Sequence, residues 1–122
     1  MNKPVKYELA KLLKEKGFNE LCSSYYLKSD IAPIETNVKC SNNRIAYSCC
    51  TAPTIAEVLM WLYEKHGIWI SVDMVFEEHQ TGFWYCIRES KDTDHAITSD
   101  EYSSPNEAYE AAIQYCLNNL ID

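Results

Sequence analysis

The hydrophobic pattern of the chain changes from a helical to an alternating period at Gly67, which predicts a helix followed directly by a strand. Upstream, Thr54 and Glu57 match a capping box, in which each side chain satisfies a free backbone N–H at the helix start. Apolar residues then recur with helical spacing: Ile55, Val58, Leu59, Leu62 and Tyr63. After Gly67, residues 68–77 alternate with a period of two, which predicts a half-buried strand.

The apolar arc of this helix is unusually wide. Met60 and Trp61 lie beside the stripe of apolar residues rather than on the polar side. We interpret the helix as covered on two sides, the alternative being that Trp61 marks a contact surface.

A hairpin is predicted after the strand. Residues 78–82 are polar and end in glycine, which indicates a hairpin loop. Residues 83–88 alternate again and predict the returning strand. The polar segment 90–103 contains one short stretch of strand character, Ala96-Ile97, which we interpret as a possible third strand.

A first helix is predicted from Pro4, which suits a first helical turn, to Gly17, which suits a helix end. Its apolar residues repeat at helical spacing: Val5, Leu9, Leu12 and Leu13. Four lysines lie largely off this stripe and indicate a solvated helix face, the alternative being a basic recognition face: Lys6, Lys11, Lys14 and Lys16.

A last helix is predicted after Ser104, which serves as N-cap, with Pro105 at the first helical position and Glu107 as a capping glutamate. Its predicted buried face has helical spacing: Tyr109, Ala112, Ile113, Cys116, Leu117 and Leu120.

Between residues 19 and 51 the hydrophobic pattern is weaker. Residues 22–27 and 44–48 have strand-like composition, and residues 28–43 predict a long loop because of Pro33 and their Ser, Asn and Asp content.

These elements predict an α+β fold, in the order α-β-β-α-β-β-(β)-α. Consecutive strands are joined by short loops, so we expect one mostly antiparallel sheet packed with about three helices. The length of 122 residues suits a single domain over residues 1–122, with residues 50–122 as its best-defined part.

Charge divides the chain into two halves. Residues 1–50 carry 8 Lys/Arg and 5 Asp/Glu, whereas residues 51–122 carry 3 and 13. An acidic field repels phosphate backbones and anionic lipid, so neither nucleic acid nor membrane is expected as a partner of the C-terminal half. Such a field attracts a basic partner, the alternative being that it only keeps the protein soluble.

The expected cellular location of the protein and the redox state of its cysteines rest on the lack of a signal peptide and of a membrane-spanning segment in the sequence. Residues 1–6 lack the apolar core of a signal peptide, and no apolar run is long enough to span a membrane, so we expect a cytoplasmic protein. Six cysteines are then expected to be reduced thiols: Cys22, Cys40, Cys49, Cys50, Cys86 and Cys116.

No catalytic, cofactor-binding or metal-binding motif is visible, and we predict that the chain is not an enzyme. Three glycines cannot build a phosphate loop, and no Cys-x-x-Cys or His-Glu-x-x-His spacing occurs. His66, His79 and His95 are interpreted as surface residues. A Cys/His nucleophile pair is a remote alternative, because it would need a thiol of low pKa in an open cleft.

The sequence resembles small uncharacterised α+β proteins encoded by phages, prophages and mobile elements of gut bacteria. The resemblance covers roughly residues 50–122, with a looser similarity at residues 12–18. It rests on the segments 52–58 and 61–62, the hairpin segment Gly82-Phe83-Trp84-Tyr85, and Ser104-Pro105-Asn106-Glu107-Ala108. It implies a small accessory protein in the cytoplasm of a bacterial host. It implies no functional residues, because the motifs are caps and core positions.

Together, charge and aromatic residues predict a non-enzymatic module that binds another protein, itself basic, through an acidic-aromatic surface. The predicted surface consists of Trp69, Trp84, Asp73, Glu77, Glu78, Asp92, Asp94, Asp100 and Glu101. On adjacent strands the two tryptophans could share one face of the hairpin, which we interpret as core beneath a covering helix, the alternative being a protein-binding patch. The alternative is a small-molecule or nucleotide-binding module with a pocket between sheet and helix.

Overall fold

Three helices and six strands are present in the computed structural model, which describes residues 3–27, 32–77 and 80–122. In chain order they are α1 (Tyr7–Glu15), β1 (Cys22–Tyr26), β2 (Ile34–Cys40), β3 (Cys50–Thr51), α2 (Ile55–His66), β4 (Ile68–Glu77), β5 (Gln80–Glu89), β6 (Asp92–Thr98) and α3 (Pro105–Asn119). All pairings between these strands are antiparallel, and the α+β class is confirmed.

The strands form two three-stranded sheets rather than the one sheet expected, in the orders β2-β1-β3 and β4-β5-β6. The three strands that precede α2 in the chain form one sheet, and the three strands that follow α2 form the other. The chain correspondingly divides into two compact units, Met1–Val58 with Asp122 and Leu59–Ile121. The assignment of residues 1–122 to one domain stays a prediction.

The N-terminal unit begins with an extended segment, and α1 starts later than predicted. Pro4 forms a β-bridge with Thr54, and the Val5 N–H donates to the Pro53 carbonyl at 2.8 Å. These pairings keep the backbone extended until Lys6, so Pro4 is not in a first helical turn. The predicted stripe is otherwise present, with Val5, Leu9 and Leu13 buried.

The strand expected at residues 44–48 and the loop expected at residues 28–43 are both wrong. Residues 34–40 form β2, paired with β1, while residues 42–48 form turns and bends. Most side chains of β2 are exposed or partly exposed, so this edge strand has no apolar alternation in its sequence. Residues 28–31 of the predicted loop lie outside the described part of the chain.

The buried side chain of Asn42 holds this turn region in place. Its Nδ2 donates to the Phe18 carbonyl at 2.6 Å, and its Oδ1 accepts from the Thr51 N–H at 2.9 Å. One amide thus joins the end of α1 to β3 and satisfies two buried backbone groups.

The capping box at the start of α2 is confirmed. The Glu57 N–H donates to Thr54 Oγ1 at 3.2 Å, and the Thr54 N–H donates to Glu57 Oε1 at 2.9 Å. Gly67 follows the helix with φ 64°, a left-handed conformation that favours glycine. Trp61 is buried, in agreement with a helix covered on two sides, while Met60 is exposed.

The C-terminal unit is built on the β4–β5 hairpin, whose ladder runs from Ile68↔Glu89 to Glu77↔Gln80. The predicted loop over residues 78–82 is too long, because Gly82 pairs with Val75 inside β5. Glu78 and His79 lie outside the described residues. The third strand is longer than Ala96-Ile97; it is an almost fully exposed edge strand, so alternation is absent there as well.

Helix α3 packs on β4 and β5. Its start is confirmed, since Ser104 Oγ accepts from the Glu107 N–H at 3.2 Å and Pro105 occupies the first turn. The buried residues of the helix are Ala108, Ala112, Ile113, Cys116 and Leu117. None of the helices in the described ranges is long and apolar enough to span a membrane.

Candidate functional site

The register of the hairpin determines which predicted site residues share a face. In an antiparallel pair, directly opposed side chains lie on the same face, and positions two apart along a strand do so too. Trp69 is opposite Arg88, and Asp73 is opposite Trp84. The opposite face carries Ile68, Ile70, Tyr85 and Ile87, which are buried. Trp69, Asp73 and Trp84 therefore share the outer face of this hairpin.

Trp84 lies between two carboxylates on this face. Asp73 is its cross-strand partner and is exposed. Glu101 reaches the same face next to Gly82, because a Cβ built on Gly82 would lie 2.5 Å from Glu101 Oε2. Hydrogen bonds in both directions between Phe83 and Tyr102, at 2.7 and 3.0 Å, hold the backbone beside Glu101 against β5. We name Trp84, Asp73 and Glu101 the Trp84 cluster.

Neither carboxylate of the Trp84 cluster forms a salt bridge within the described part of the chain. Trp84 itself is partly exposed. An aromatic ring flanked by two unpaired carboxylates offers a negative ring face and two charged acceptors to a cation. The Trp84 cluster is thus chemically suited to a guanidinium or ammonium group.

Trp69 lies apart from the Trp84 cluster, although it occupies the same face. The pair Ser71↔Cys86 separates it from the pair Asp73↔Trp84 along the ladder. Trp69 is 50% exposed, and its ring contacts Tyr63 edge-on, with the ring centroids 5.8 Å apart. The two tryptophans therefore do not form one continuous aromatic platform.

The other predicted acids do not join the Trp84 cluster. Asp92 lies 2.9 Å from His95 Nδ1 on exposed β6, and Asp94 and Asp100 are exposed. For Glu77 the structure describes only the backbone, which pairs with Gln80 in the ladder. Glu78 lies outside the described residues.

The cysteines are free thiols, and all except Cys40 are buried. Burial raises the pKa of Cys22 to about 12, with a smaller contribution from the Glu57 carboxylate. Burial likewise raises the pKa of Cys116 to about 12, with the Glu89 carboxylate adding to the shift. Such thiols stay protonated near neutral pH and are poor nucleophiles. Cys22 is the cross-strand partner of Cys40 in the N-terminal sheet.

We expect a thiol titration of freshly prepared protein to count six thiols after denaturation without reductant, and fewer in the native state. The physical reason is burial, which slows the reaction of five of the six cysteines with a thiol reagent. A sample treated with reductant and desalted is the control. A count in the denatured sample that is two below this control would contradict the reduced state.

A cavity in the N-terminal unit was not predicted from the sequence. It has a volume of about 460 Å³ and lies between α1 and residues 47–50. Its lining consists of Tyr7, Lys11, Lys14, Glu15, Tyr47, Ser48, Cys49 and Cys50. The helical spacing of Lys11 and Lys14 was a usable signal, but their proximity to residues 47–50 is a long-range contact that no local pattern indicates.

No protein-family model, curated protein or solved structure matches the chain. Within the described ranges, no three His, Cys, Asp or Glu side chains are grouped so that they could hold a metal ion. Among the described residues, the Trp84 cluster and the cavity are the two candidate functional sites.

Proposed function

We propose that the chain is a non-enzymatic accessory module of a phage or prophage, and that its Trp84 cluster binds a basic segment of a partner protein in the cytoplasm of the bacterial host. The observation that carries the proposal is the position of a partly exposed tryptophan between the unpaired carboxylates of Asp73 and Glu101. Phage origin rests on the resemblance of residues 50–122 alone.

The physical basis of binding is a cation held over the indole face of Trp84 while Asp73 and Glu101 accept its N–H groups. A cation over a tryptophan ring contributes about 0.5–2 kcal/mol, and carboxylates strengthen it with charge-assisted hydrogen bonds. The net charge of −7 brings a basic segment toward the protein and speeds its association at low salt. Arginine suits this arrangement better than lysine, because its planar guanidinium can stack on the ring and donate two parallel hydrogen bonds to one carboxylate.

Peptide titrations test this proposal. A short Arg/Gly peptide, a Lys/Gly peptide and a Glu/Gly peptide of equal length are titrated by calorimetry at low and at physiological salt. We expect the Arg/Gly peptide to bind most tightly, the Glu/Gly peptide not to bind, and Trp84→Leu to weaken arginine binding about three- to thirtyfold. The double variant Asp73→Asn/Glu101→Gln should weaken binding and reduce its salt dependence.

The matched controls are Asp94→Asn, which removes an exposed acid outside the Trp84 cluster, and Trp69→Leu, which removes the other tryptophan of the same face. Both should retain the affinity of the parent protein within about twofold. Equal weakening by Asp94→Asn and by a single Asp73→Asn substitution would mean that only the overall negative charge matters, and the proposed site would be wrong.

A further inference from the structure

The cavity of the N-terminal unit has the size and lining of a small-molecule site. Its volume of about 460 Å³ falls in the range of ligand pockets, which is about 300–1,000 Å³. Helix α1 supplies one wall, and the segment that leads into β3 supplies the other. No residue of the Trp84 cluster belongs to this lining, so the two sites can be tested separately.

Lys14 is a fixed cation at this cavity. Its ammonium group donates to the carbonyls of Tyr47, at 3.0 Å, and of Cys49, residues distant in the chain. An ammonium group has three N–H donors, so these two bonds leave one donor for a ligand. Because the side chain is already ordered, a ligand would not have to immobilise it, which favours binding.

The cavity carries a modest positive charge. Lys11 lies one helical turn before Lys14 and lines the same wall, and Glu15 is the single carboxylate among the lining residues. Two ammonium groups against one carboxylate leave one net positive charge. This balance fits a ligand with a single phosphate or carboxylate group better than a polyphosphate.

The remaining lining suits a planar ring. Tyr7 is held edge-on against Tyr26, with the ring centroids 5.6 Å apart. Tyr47 is 98% exposed, and its ring lies 5.7 Å from the Lys14 ammonium. Burial raises the pKa of Cys50, although the ammonium groups of Lys14 and Lys11 oppose the shift. The Cys50 thiol is therefore uncharged near neutral pH and offers an apolar, polarisable surface beside the rings.

We propose that this cavity binds a small aromatic anion, in which a planar ring is joined to one phosphate or carboxylate group. Lys11 and Lys14 bind the anionic group, and Tyr7 and Tyr47 contact the ring. A nucleoside monophosphate and an aryl carboxylate share this chemistry and are the two sources that the experiment separates.

The test uses calorimetric titration of the full chain with adenosine monophosphate, indole-3-acetate, adenosine and inorganic phosphate. We expect one or both aromatic anions to saturate the protein, and the neutral nucleoside and the bare phosphate to bind more weakly. The aromatic anion that binds more tightly shows whether the natural ligand is a nucleoside monophosphate or an aryl carboxylate. If neither binds more tightly than adenosine and phosphate, the proposal is overturned.

Charge-neutral variants locate the site. Lys11→Gln should weaken binding of the aromatic anion about tenfold, because it removes a charge-assisted hydrogen bond without touching the bonds of Lys14. The matched control is Lys39→Gln on exposed β2, outside the cavity lining, and Trp84→Leu is the control for the Trp84 cluster. Equal weakening by Lys11→Gln and Lys39→Gln would overturn the assignment to this cavity.

Alkylation gives a second, independent measurement. A bound aromatic anion should slow iodoacetamide labelling of the peptide that contains Cys49 and Cys50, and leave the labelling of Cys116 unchanged. Ligand that binds without this protection lies elsewhere on the protein, which would also overturn the proposal. Failure of arginine peptides to bind the Trp84 cluster would leave this result unaffected.

Discussion

Leu117→Ala is expected to lower the free energy of unfolding by roughly 2–5 kcal/mol, the range for truncating a fully buried leucine. Leu117 is 0% exposed and belongs to the buried face of α3, which packs on β4 and β5. Truncation removes apolar contacts and leaves a cavity that the sheet, fixed by its ladder of ten residue pairs, cannot easily close. Urea denaturation followed by circular dichroism measures the loss.

Ser104→Ala is the matched variant at the start of the same helix. It removes the hydroxyl that accepts from the Glu107 N–H, and it should lower the free energy of unfolding by about 1 kcal/mol. The two losses should therefore differ clearly in size. Small and equal losses from Leu117→Ala and Ser104→Ala would show that α3 is not docked on its sheet.

Alkaline pH is expected to destabilise the fold through its buried thiols. Cys22 and Cys116 are 0% exposed, and burial raises the pKa of each from 9.0 to about 12. Below pH 9 both thiols are protonated in the folded and the unfolded chain, so they add no pH dependence. Between pH 9 and 12 the unfolded chain loses these protons while the folded chain retains them, so unfolding becomes steadily more favourable as the pH rises through this range.

The measurement is the urea midpoint as a function of pH, at constant ionic strength and with reductant present. The double variant Cys22→Ala/Cys116→Ala should flatten the fall of stability above pH 9, whereas Ser23→Ala, an exposed neighbour that does not titrate in this range, should not. Tyr85 adds a smaller fall in both proteins, because burial raises its pKa above 10. An unchanged slope in the double variant would contradict the role of the thiols.

The elements that could be predicted from the sequence are those whose start or end is marked by a capping residue or a glycine and whose buried face has a regular apolar spacing. The capping box of Thr54 and Glu57, the break at Gly67 and the N-cap of Ser104 each act within a few residues and appear as expected. Strands β2 and β6 were missed or shortened for the opposite reason. Both are edge strands with exposed side chains, and their stability comes from pairing with β1 and β5 rather than from an apolar pattern.

The Trp84 cluster, too, could be predicted only in part, because it depends on contacts between residues that are distant in the chain. Its residue types could be identified, but their grouping depends on register. Closure of the hairpin over residues 78–82 would have paired Asp73 with Ile87 and turned Trp84 to the opposite face, since an odd shift in register reverses the side chains. The observed pairing of Glu77 with Gln80 instead brings Asp73 opposite Trp84. The cavity depends on contacts between α1 and residues 47–50, which no local pattern contains.

The pairing of Pro4 with Thr54 affects the order in which the protein can fold during its synthesis. The extended segment before α1 has its partners at Pro53 and Thr54, and β1 pairs with β3 at Cys50 and Thr51. Residues 4–26 leave the ribosome before residues 50–54 are made, so the edge of β1 that pairs with β3 stays unpaired during that interval. The β4–β5 hairpin has its partners next to each other in the chain and can pair as soon as both strands are released. During translation the N-terminal unit therefore keeps an unpaired strand edge for longer than the β4–β5 hairpin does, and an unpaired edge is a site at which another chain can pair.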